Sequence, residues 1–164
     1  MRHWIHQPLA QHEEINVVFF RGMSLDALTR KLLAARRMPL AYGKGTEWGV
    51  IMHPMLGWQT GDYDLPNYGP MCRDGGELVV IATEPCMAKA FGPDFEYYRD
   101  GRLVTFFSFE TPGYRGGDEP DLLLPALAAA KLVDPDADFG SDDDEERIMR
   151  AIAGFFALPD LDMS

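Results

Sequence analysis

The sequence predicts an α+β fold, a single domain with an antiparallel or mixed sheet of about five strands packed against about three helices. One observation is a hairpin at 95–110, FEYYRDGRLVTFFSFE, centred on Asp100-Gly101. A two-residue type I′ turn needs positive φ at both central residues, which favours this pair. Another is the order of elements, which groups strands and helices instead of alternating them strictly. Finally, 164 residues with 46% hydrophobic content suffice for one core that buries roughly 70% of the unfolded surface.

The two strands of the hairpin are rich in aromatic and β-branched residues, which pack well on a pleated surface. Strict alternation places four side chains on one face and three on the other: Leu103, Thr105, Phe107 and Phe109, against Val104, Phe106 and Ser108. A strand that is apolar on both faces is expected inside a sheet covered by helices.

The first half of the chain supplies the other strands and one helix. Continuous apolar runs predict strands at 15–20 (INVVFF), 47–52 (EWGVIM) and 77–83 (ELVVIAT). Trp48 is expected to anchor the sheet. Ser24 is expected to cap a helix that runs to about residue 35.

The last part of the chain predicts two more helices. One begins at 118–121, where acidic residues and a proline suit a first turn, and Pro125 is expected to kink its start. The other covers 142–158, with four inward residues: Ile148, Ile152, Phe155 and Phe156. Residues 1–14 form a polar N-terminal segment, and 15–161 form the domain, including an acidic segment at 134–146.

Charge is concentrated in this acidic segment. The formal net charge is −11, and 134–146 holds eight acidic residues without a lysine or arginine. Binding to nucleic acid depends on neutralising phosphates with basic side chains, so we expect no nucleic-acid partner. A basic protein partner suits the segment better.

The cysteines and the apolar runs indicate where the protein works. Cys72 and Cys86 lack a CxxC spacing, so neither a zinc ribbon nor a redox motif is supported. No signal peptide and no apolar run of membrane length is found. We expect a cytoplasmic protein without cofactors and without a membrane partner; the sequence does not indicate its oligomeric state.

Several blocks of the chain resemble an uncharacterised actinobacterial family, the domain of unknown function 6461. The blocks are 17–24 (VVFFRGMS), 47–50 with the later Gly57-Trp58-Gln59, 95–104, and 117–124, where Asp118, Pro120 and Asp121 precede a leucine-rich helix. The resemblance covers about residues 15–161 and implies a common fold. It implies no reaction, substrate or catalytic residue. The acidic segment is heavier here than the family pattern requires.

The acidic segment also contains the spacing of a calcium loop. Positions 1, 3, 5, 9 and 12 of an EF-hand-like loop are Asp134, Asp136, Asp138, Asp142 and Glu145. However, the sixth position is Phe139 instead of glycine, and there is no second hand. An acidic linker followed by a helix N-terminus accounts for the same residues, so we expect no calcium binding tighter than millimolar.

A long irregular region, 53–76, carries Trp58, Tyr63 and Tyr68 among glycines and prolines. Exposed aromatics of this kind anchor protein interfaces because they bury a large area at low entropic cost. Folded inward, the same three side chains are core. Both alternatives stay open on the sequence.

For catalysis, His53 is the histidine that lies away from the N-terminus. A general base needs a nucleophile and usually an orienting carboxylate. Candidates in the sequence are Cys72 as nucleophile and four carboxylates: Asp62, Asp64, Asp74 and Glu84. Their spacing does not bring them together, and no established catalytic motif is present.

Two functional hypotheses follow. The leading one is a non-catalytic protein-interaction module, of immunity- or antitoxin-like type. It would bind a basic partner through Asp142, Asp143 and Asp144 and the loop with Trp58, Tyr63 and Tyr68. The alternative is a small enzyme or ligand-binding protein that uses His53 with a nearby carboxylate or Cys72.

Overall fold

A computed structural model describes residues 15–34, 41–44, 47–54, 68–73, 75–82, 94–133 and 144–159. Six strands form one antiparallel sheet in the order β2-β3-β1-β4-β5-β6. Their bounds are β1 Ile15–Arg21, β2 Ala41–Lys44, β3 Gly49–Pro54, β4 Glu77–Ala82, β5 Asp94–Arg99 and β6 Arg102–Ser108. The helices are α1 Leu25–Ala34, α2 Leu124–Ala129 and α3 Asp144–Phe156, with a 3-10 helix at Gly69–Cys72.

The predicted α+β class is confirmed, and helices cover both faces of the sheet. One face packs on α2 and α3 through a core that includes Phe95, Leu127 and Ile152. The other face packs on α1 and the 3-10 helix through a second core that includes Leu28 and Cys72. We refer to the second as the α1 face.

Local signals in the sequence place the start of α1 and the hairpin turn as predicted. Ser24 Oγ accepts a hydrogen bond from the Ala27 amide at 3.0 Å, which satisfies one free N–H of the first helical turn. Asp100 and Gly101 have φ of 51° and 83°, the positive values that a type I′ turn needs at both positions.

The face assignment within the hairpin is wrong for two residues. The register shifts between Tyr97 and Tyr98, so that Tyr97 pairs with Thr105 while Tyr98 pairs with Leu103. Val104 is the extra residue of this β-bulge. Because a bulge inserts one residue into one strand, it reverses the alternation on that side. Leu103 therefore lies on the α1 face, and Val104 packs with the α2 and α3 core.

Four further expectations differ from the structure. A strand that was not predicted, β2, adds to the sheet, and β6 lies at its edge instead of inside it. Helix α2 begins at Leu124 instead of at 118–121, with Pro125 in its first turn, where a proline costs no intrahelical hydrogen bond. Phe155 was expected to face inward but is 42% exposed, and Met149 is buried instead.

The edge of β6 is covered by the chain that follows it. Phe106 and Gly116 exchange two backbone hydrogen bonds of 3.1 Å. Further along, the amides of Asp118 and Glu119 donate to the carbonyls of Leu103 and Val104, at 3.1 and 2.7 Å. This pairing removes open N–H and C=O groups from an edge that would otherwise recruit a second chain.

A polar cluster on the α2 and α3 face ties β1, β4 and β5 together and includes Trp48, the residue before β3. Arg21 donates two hydrogen bonds to Glu77, at 2.7 and 3.2 Å, and Tyr97 donates a third at 2.6 Å. Burial opposes ionisation of Glu77, but these hydrogen bonds hold its pKa below the usual value. The Arg21 guanidinium also lies 4.3 Å from the centre of the Trp48 ring. The groups of this cluster satisfy one another, so it is a structural clamp.

Candidate functional site

A row of polar side chains crosses the α1 face at one end of the sheet. Asn16 on β1 is the direct partner of His53 on β3 and, on its other side, of Ala82 on β4. Ala82 is paired with Asp94 on β5, which is paired with Ser108 on β6. Cross-strand partners share a face, so the row runs from His53 to Ser108 with the small side chain of Ala82 at its centre.

The Tyr68 hydroxyl joins Asn16 to His53. Asn16 Nδ2 donates to Tyr68 Oη at 2.7 Å, and the same hydroxyl lies 2.7 Å from His53 Nε2. The hydroxyl thus accepts from Asn16 and forms a second hydrogen bond with the imidazole of His53. All three residues are at most 4% exposed, so these hydrogen bonds fix the Asn16 side chain rigidly.

The other amide atom of Asn16 has a different environment. Asn16 Oδ1 is buried, and no hydrogen-bond partner for it occurs among the described residues. A buried acceptor without a donor costs about 1–3 kcal/mol. Because the oxygen and nitrogen diverge from one carbon, Oδ1 points away from Tyr68. The side chain thus presents a fixed acceptor that lacks a donor.

Two carboxylates lie further along the same face, on β5. Tyr98 Oη donates to Glu96 at 2.5 Å, and Ser108 hydrogen-bonds to Asp94. Burial raises the pKa of both carboxyls above their usual values, although each of these hydrogen bonds acts in the opposite direction. Asp94, Glu96 and Ser108 are all half-buried, so this end of the row is accessible from solvent.

Cys72 is part of the hydrophobic core of the α1 face. Its thiol is fully buried and lies 3.6 Å from the Gly69 carbonyl. Burial raises its pKa, which favours the thiol over the reactive thiolate. Tyr68 packs against Tyr98 in the same region, with ring centres 5.7 Å apart.

Of the predicted interface residues, the structure describes Tyr68 in full. It is 2% exposed, so it serves the core and the polar row instead of an exposed anchor. Trp58, Tyr63, Asp142 and Asp143 lie outside the described residues. Asp144 is the first residue of α3, and only its backbone is described.

The predicted calcium loop falls almost entirely outside the described part of the chain. This holds for Asp134, Asp136, Asp138 and Asp142, while Glu145 lies in the first turn of α3 with its side chain undescribed. Within the described ranges, no three or more histidine, cysteine or acidic side chains are arranged to hold a metal ion.

The catalytic alternative named His53, and its described partner is Tyr68. The carboxylates of the α1 face, on β5, are three strands away from β3, or about 14 Å at the usual strand spacing. His53 is therefore linked to the rest of the row by its hydrogen bond with Tyr68, which in turn bonds Asn16. The predicted use of His53 with a carboxylate or Cys72 stays a prediction.

Sequence reasoning missed Asn16, Asp94, Glu96 and Ser108 as a site. Two signals were available. Asn16 is the polar residue inside the apolar run INVVFF, and Asp94 and Glu96 alternate with aromatic residues on β5. Such alternation indicates a strand with one polar face.

Comparison with protein-family models identifies the family of this chain. A family model described as a family of unknown function (DUF6461) matches residues 31–160, more than half of the chain. The chain belongs to this family. The match in this DUF6461 protein includes His53, Tyr68, Asp94 and Glu96, while β1 with Asn16 precedes it. No curated protein and no solved structure matches the chain.

Among the described residues of this DUF6461 protein, none of the helices has the length and apolar character needed to cross a bilayer.

Proposed function

We propose that this DUF6461 protein binds a small polar ligand at the polar end of the α1 face. The observation that carries the proposal is Asn16 Oδ1, a buried acceptor that has no donor among the described residues. Buried polar groups are normally hydrogen-bonded, and ligand sites place a few such groups on an otherwise apolar surface. A donor on a ligand would complete the hydrogen bonding of Asn16.

The shape of the row supports this proposal. Ala82 separates Asn16 from Asp94, so their Cα atoms are two strand spacings apart, or about 10 Å. Between these two longer side chains, Ala82 contributes only a methyl group to the row. Ala82 and Asp94 are only partly buried, which gives a small molecule access to this space.

Tyr68 and His53 act as positioning residues in the proposal. Neither needs to touch the ligand, because their hydrogen bonds fix the direction in which the Asn16 amide points. A rotating amide would lose entropy on binding, whereas a fixed one does not. Removal of the Tyr68 hydroxyl is therefore expected to weaken ligand binding while leaving the aromatic ring in the core.

The test is a thermal-shift screen of small molecules of all charges, followed by titration of each hit. For Tyr68→Phe we expect at least about a tenfold loss of affinity, which corresponds to one hydrogen bond of about 1.4 kcal/mol. The matched control is Tyr114→Phe, since Tyr114 is 83% exposed. NMR signals of the Asn16 side-chain amide should shift with ligand in the wild type.

Hits that bind both variants equally, with no change at the Asn16 amide, would place the ligand elsewhere and contradict the proposal. Loss of folding in Tyr68→Phe is distinguished by its own unfolding curve. In that case, Asn16→Leu removes the acceptor Oδ1 while keeping a side chain of similar size.

We propose an interaction with a basic protein as a second function, favoured by the charge distribution. The segment 134–146 holds eight acidic residues and no basic one. Its flanking residues Val133 and Ile148 are buried in the core of the α2 and α3 face, the opposite side of the sheet from the polar row. An immunity- or antitoxin-like role in the cytoplasm is the form that we infer for it. A free buried thiol, Cys72, suits a reducing compartment.

This second function predicts salt-dependent capture of a partner. Replacing Asp142, Asp143 and Asp144 by asparagine should lower affinity for a basic partner by about tenfold or more and flatten the dependence of binding on salt. The measurement is affinity capture from lysate at low and high salt, with quantification of the captured protein. A triple variant at exposed carboxylates elsewhere is the charge-matched control: Asp26→Asn, Asp118→Asn and Asp121→Asn. Equal capture by both triple variants would show that the acidic segment does not contribute to partner binding.

A further inference from the structure

The carboxylates of Asp94 and Glu96 differ from the other part-buried carboxylate of the sheet. Glu77 is paired with Arg21 through two hydrogen bonds. Asp94 and Glu96 form no ion pair with any lysine or arginine in the described part of the chain, and their described partners are the hydroxyls of Ser108 and Tyr98. Burying a carboxylate is costly unless a cation compensates it, and no basic side chain among the described residues compensates these two.

The third group facing the row is also an acceptor. Asn16 Oδ1 is buried and finds no donor in the described part of the chain, and Asn16 lies in the same cross-strand row as Asp94. The hydroxyls of Ser108 and Tyr98 are used by the carboxylates themselves. The row therefore offers hydrogen-bond acceptors and negative charge, and a complementary ligand supplies donors and positive charge.

We propose that the ligand of this site is a small organic cation, an ammonium or guanidinium compound held between Asn16 Oδ1 and the carboxylates of Asp94 and Glu96. This assignment rests on the proposed ligand-binding function and names its chemical class. A primary ammonium has three donors and a guanidinium five, so either group can hydrogen-bond to more than one acceptor of the row.

An aromatic side chain borders the same position. Phe106 is the cross-strand partner of Glu96 and is 41% exposed, which is unusual for a large apolar residue here. Its ring lies over Gly116, where an added Cβ would come within 2.5 Å of Cζ. The ring therefore leans away from β5, and the cation assignment rests on Asn16, Asp94 and Glu96.

The size of the site selects the probes. Since the Cα atoms of Asn16 and Asp94 are about 10 Å apart, a short chain with a donor at each end spans the space between their side chains. The probes are therefore 1,4-diaminobutane, butylamine, 1,4-butanediol and succinate, which share a four-carbon chain and differ in charge.

Titration calorimetry of the full chain at low ionic strength is the test. We expect 1,4-diaminobutane to bind at least about tenfold more tightly than butylamine, and no binding of the diol or of succinate. Asp94→Asn and Glu96→Gln should each weaken diamine binding by about tenfold or more. Asp118→Asn and Glu119→Gln remove the same charges at an exposed surface and should leave binding unchanged.

Four results would overturn the cation assignment: binding of neither amine, binding of the diol or succinate as tight as that of the diamine, tighter binding of Mg²⁺, or equal weakening by the surface controls. The proposed ligand-binding function is judged separately by the charge-independent screen with Tyr68→Phe. A hit of any charge that depends on Tyr68 would keep that function while the cation assignment fails. Asp94 and Glu96 are half-buried, so their isosteric variants are expected to fold.

Discussion

Trp48→Ala is expected to lower the free energy of unfolding by about 3–5 kcal/mol, as is usual for deletion of a buried aromatic side chain. Trp48 is 1% exposed and precedes β3. Its indole Nε1 donates to the Phe156 carbonyl at 2.9 Å, and its ring meets that of Phe156 edge-on at 6.1 Å. The substitution removes one of the contacts that join the sheet to the end of α3, where Phe156 also packs on Tyr97. Urea unfolding should show the loss directly, and thermal unfolding should show a drop of about 10 °C.

Trp48→Phe separates the two parts of this effect. It keeps most of the buried ring but removes the indole N–H, so the Phe156 carbonyl loses its donor at a cost of about 1–3 kcal/mol. Tyr114→Ala, at a residue that is 83% exposed, should change stability by less than about 0.5 kcal/mol. A Trp48→Ala loss as small as that of Tyr114→Ala would show that α3 does not depend on this anchor.

The parts of the fold that the sequence predicts are those whose cause is local. The Asp100-Gly101 turn depends on the φ of its own two residues. The start of α1 depends on one hydroxyl, that of Ser24, three residues from the amide that it caps. Neither requires knowledge of what packs against the segment, so both could be placed before the structure was known.

The errors arise where a distant segment decides the outcome. The bulge at Val104 reverses two side chains, and nothing in the strand itself marks the extra residue. Phe155 and Phe156 are adjacent aromatics on α3, and only the contact of Phe156 with Trp48 and Tyr97 determines which one is buried. Helical periodicity shows that a helix has an apolar face, but it does not determine which of two adjacent residues at the border of that face is buried.

The candidate site was harder to predict than the fold for the same reason. Asn16, Tyr68 and Asp94 are far apart in the sequence. Asn16 and Asp94 share one face because β1 pairs with β4 and β4 with β5, and Tyr68 bonds Asn16 on that face. Strand order in an antiparallel sheet depends on long-range pairing, which a single sequence does not reveal. Each polar residue was visible in the sequence, but their common face was not.

Gly117→Ala is the second substitution that we expect to lower the free energy of unfolding strongly. Gly117 has φ of +101°, and a Cβ there would lie 2.5 Å from the Val104 carbonyl oxygen. The obstructing atoms belong to the backbone, so no side-chain rotation relieves the clash. Displacement would break the bonds from Asp118 and Glu119 to β6. Strain of about 1–3 kcal/mol and two lost hydrogen bonds of about 1 kcal/mol each predict a total loss of about 3–5 kcal/mol in urea unfolding.

Gly113→Ala is the matched control for this loss, because a Cβ at Gly113 meets nothing within 4 Å. It should stay within about 0.5 kcal/mol of the wild type. The two variants should also differ in solution behaviour. Freeing the edge of β6 exposes unpaired N–H and C=O groups, and such edges recruit further chains. Light scattering should therefore show association of Gly117→Ala but not of Gly113→Ala. Equal stability and equal scattering of the two proteins would mean that the 114–119 segment does not protect the edge, and that β6 is kept from pairing by other means.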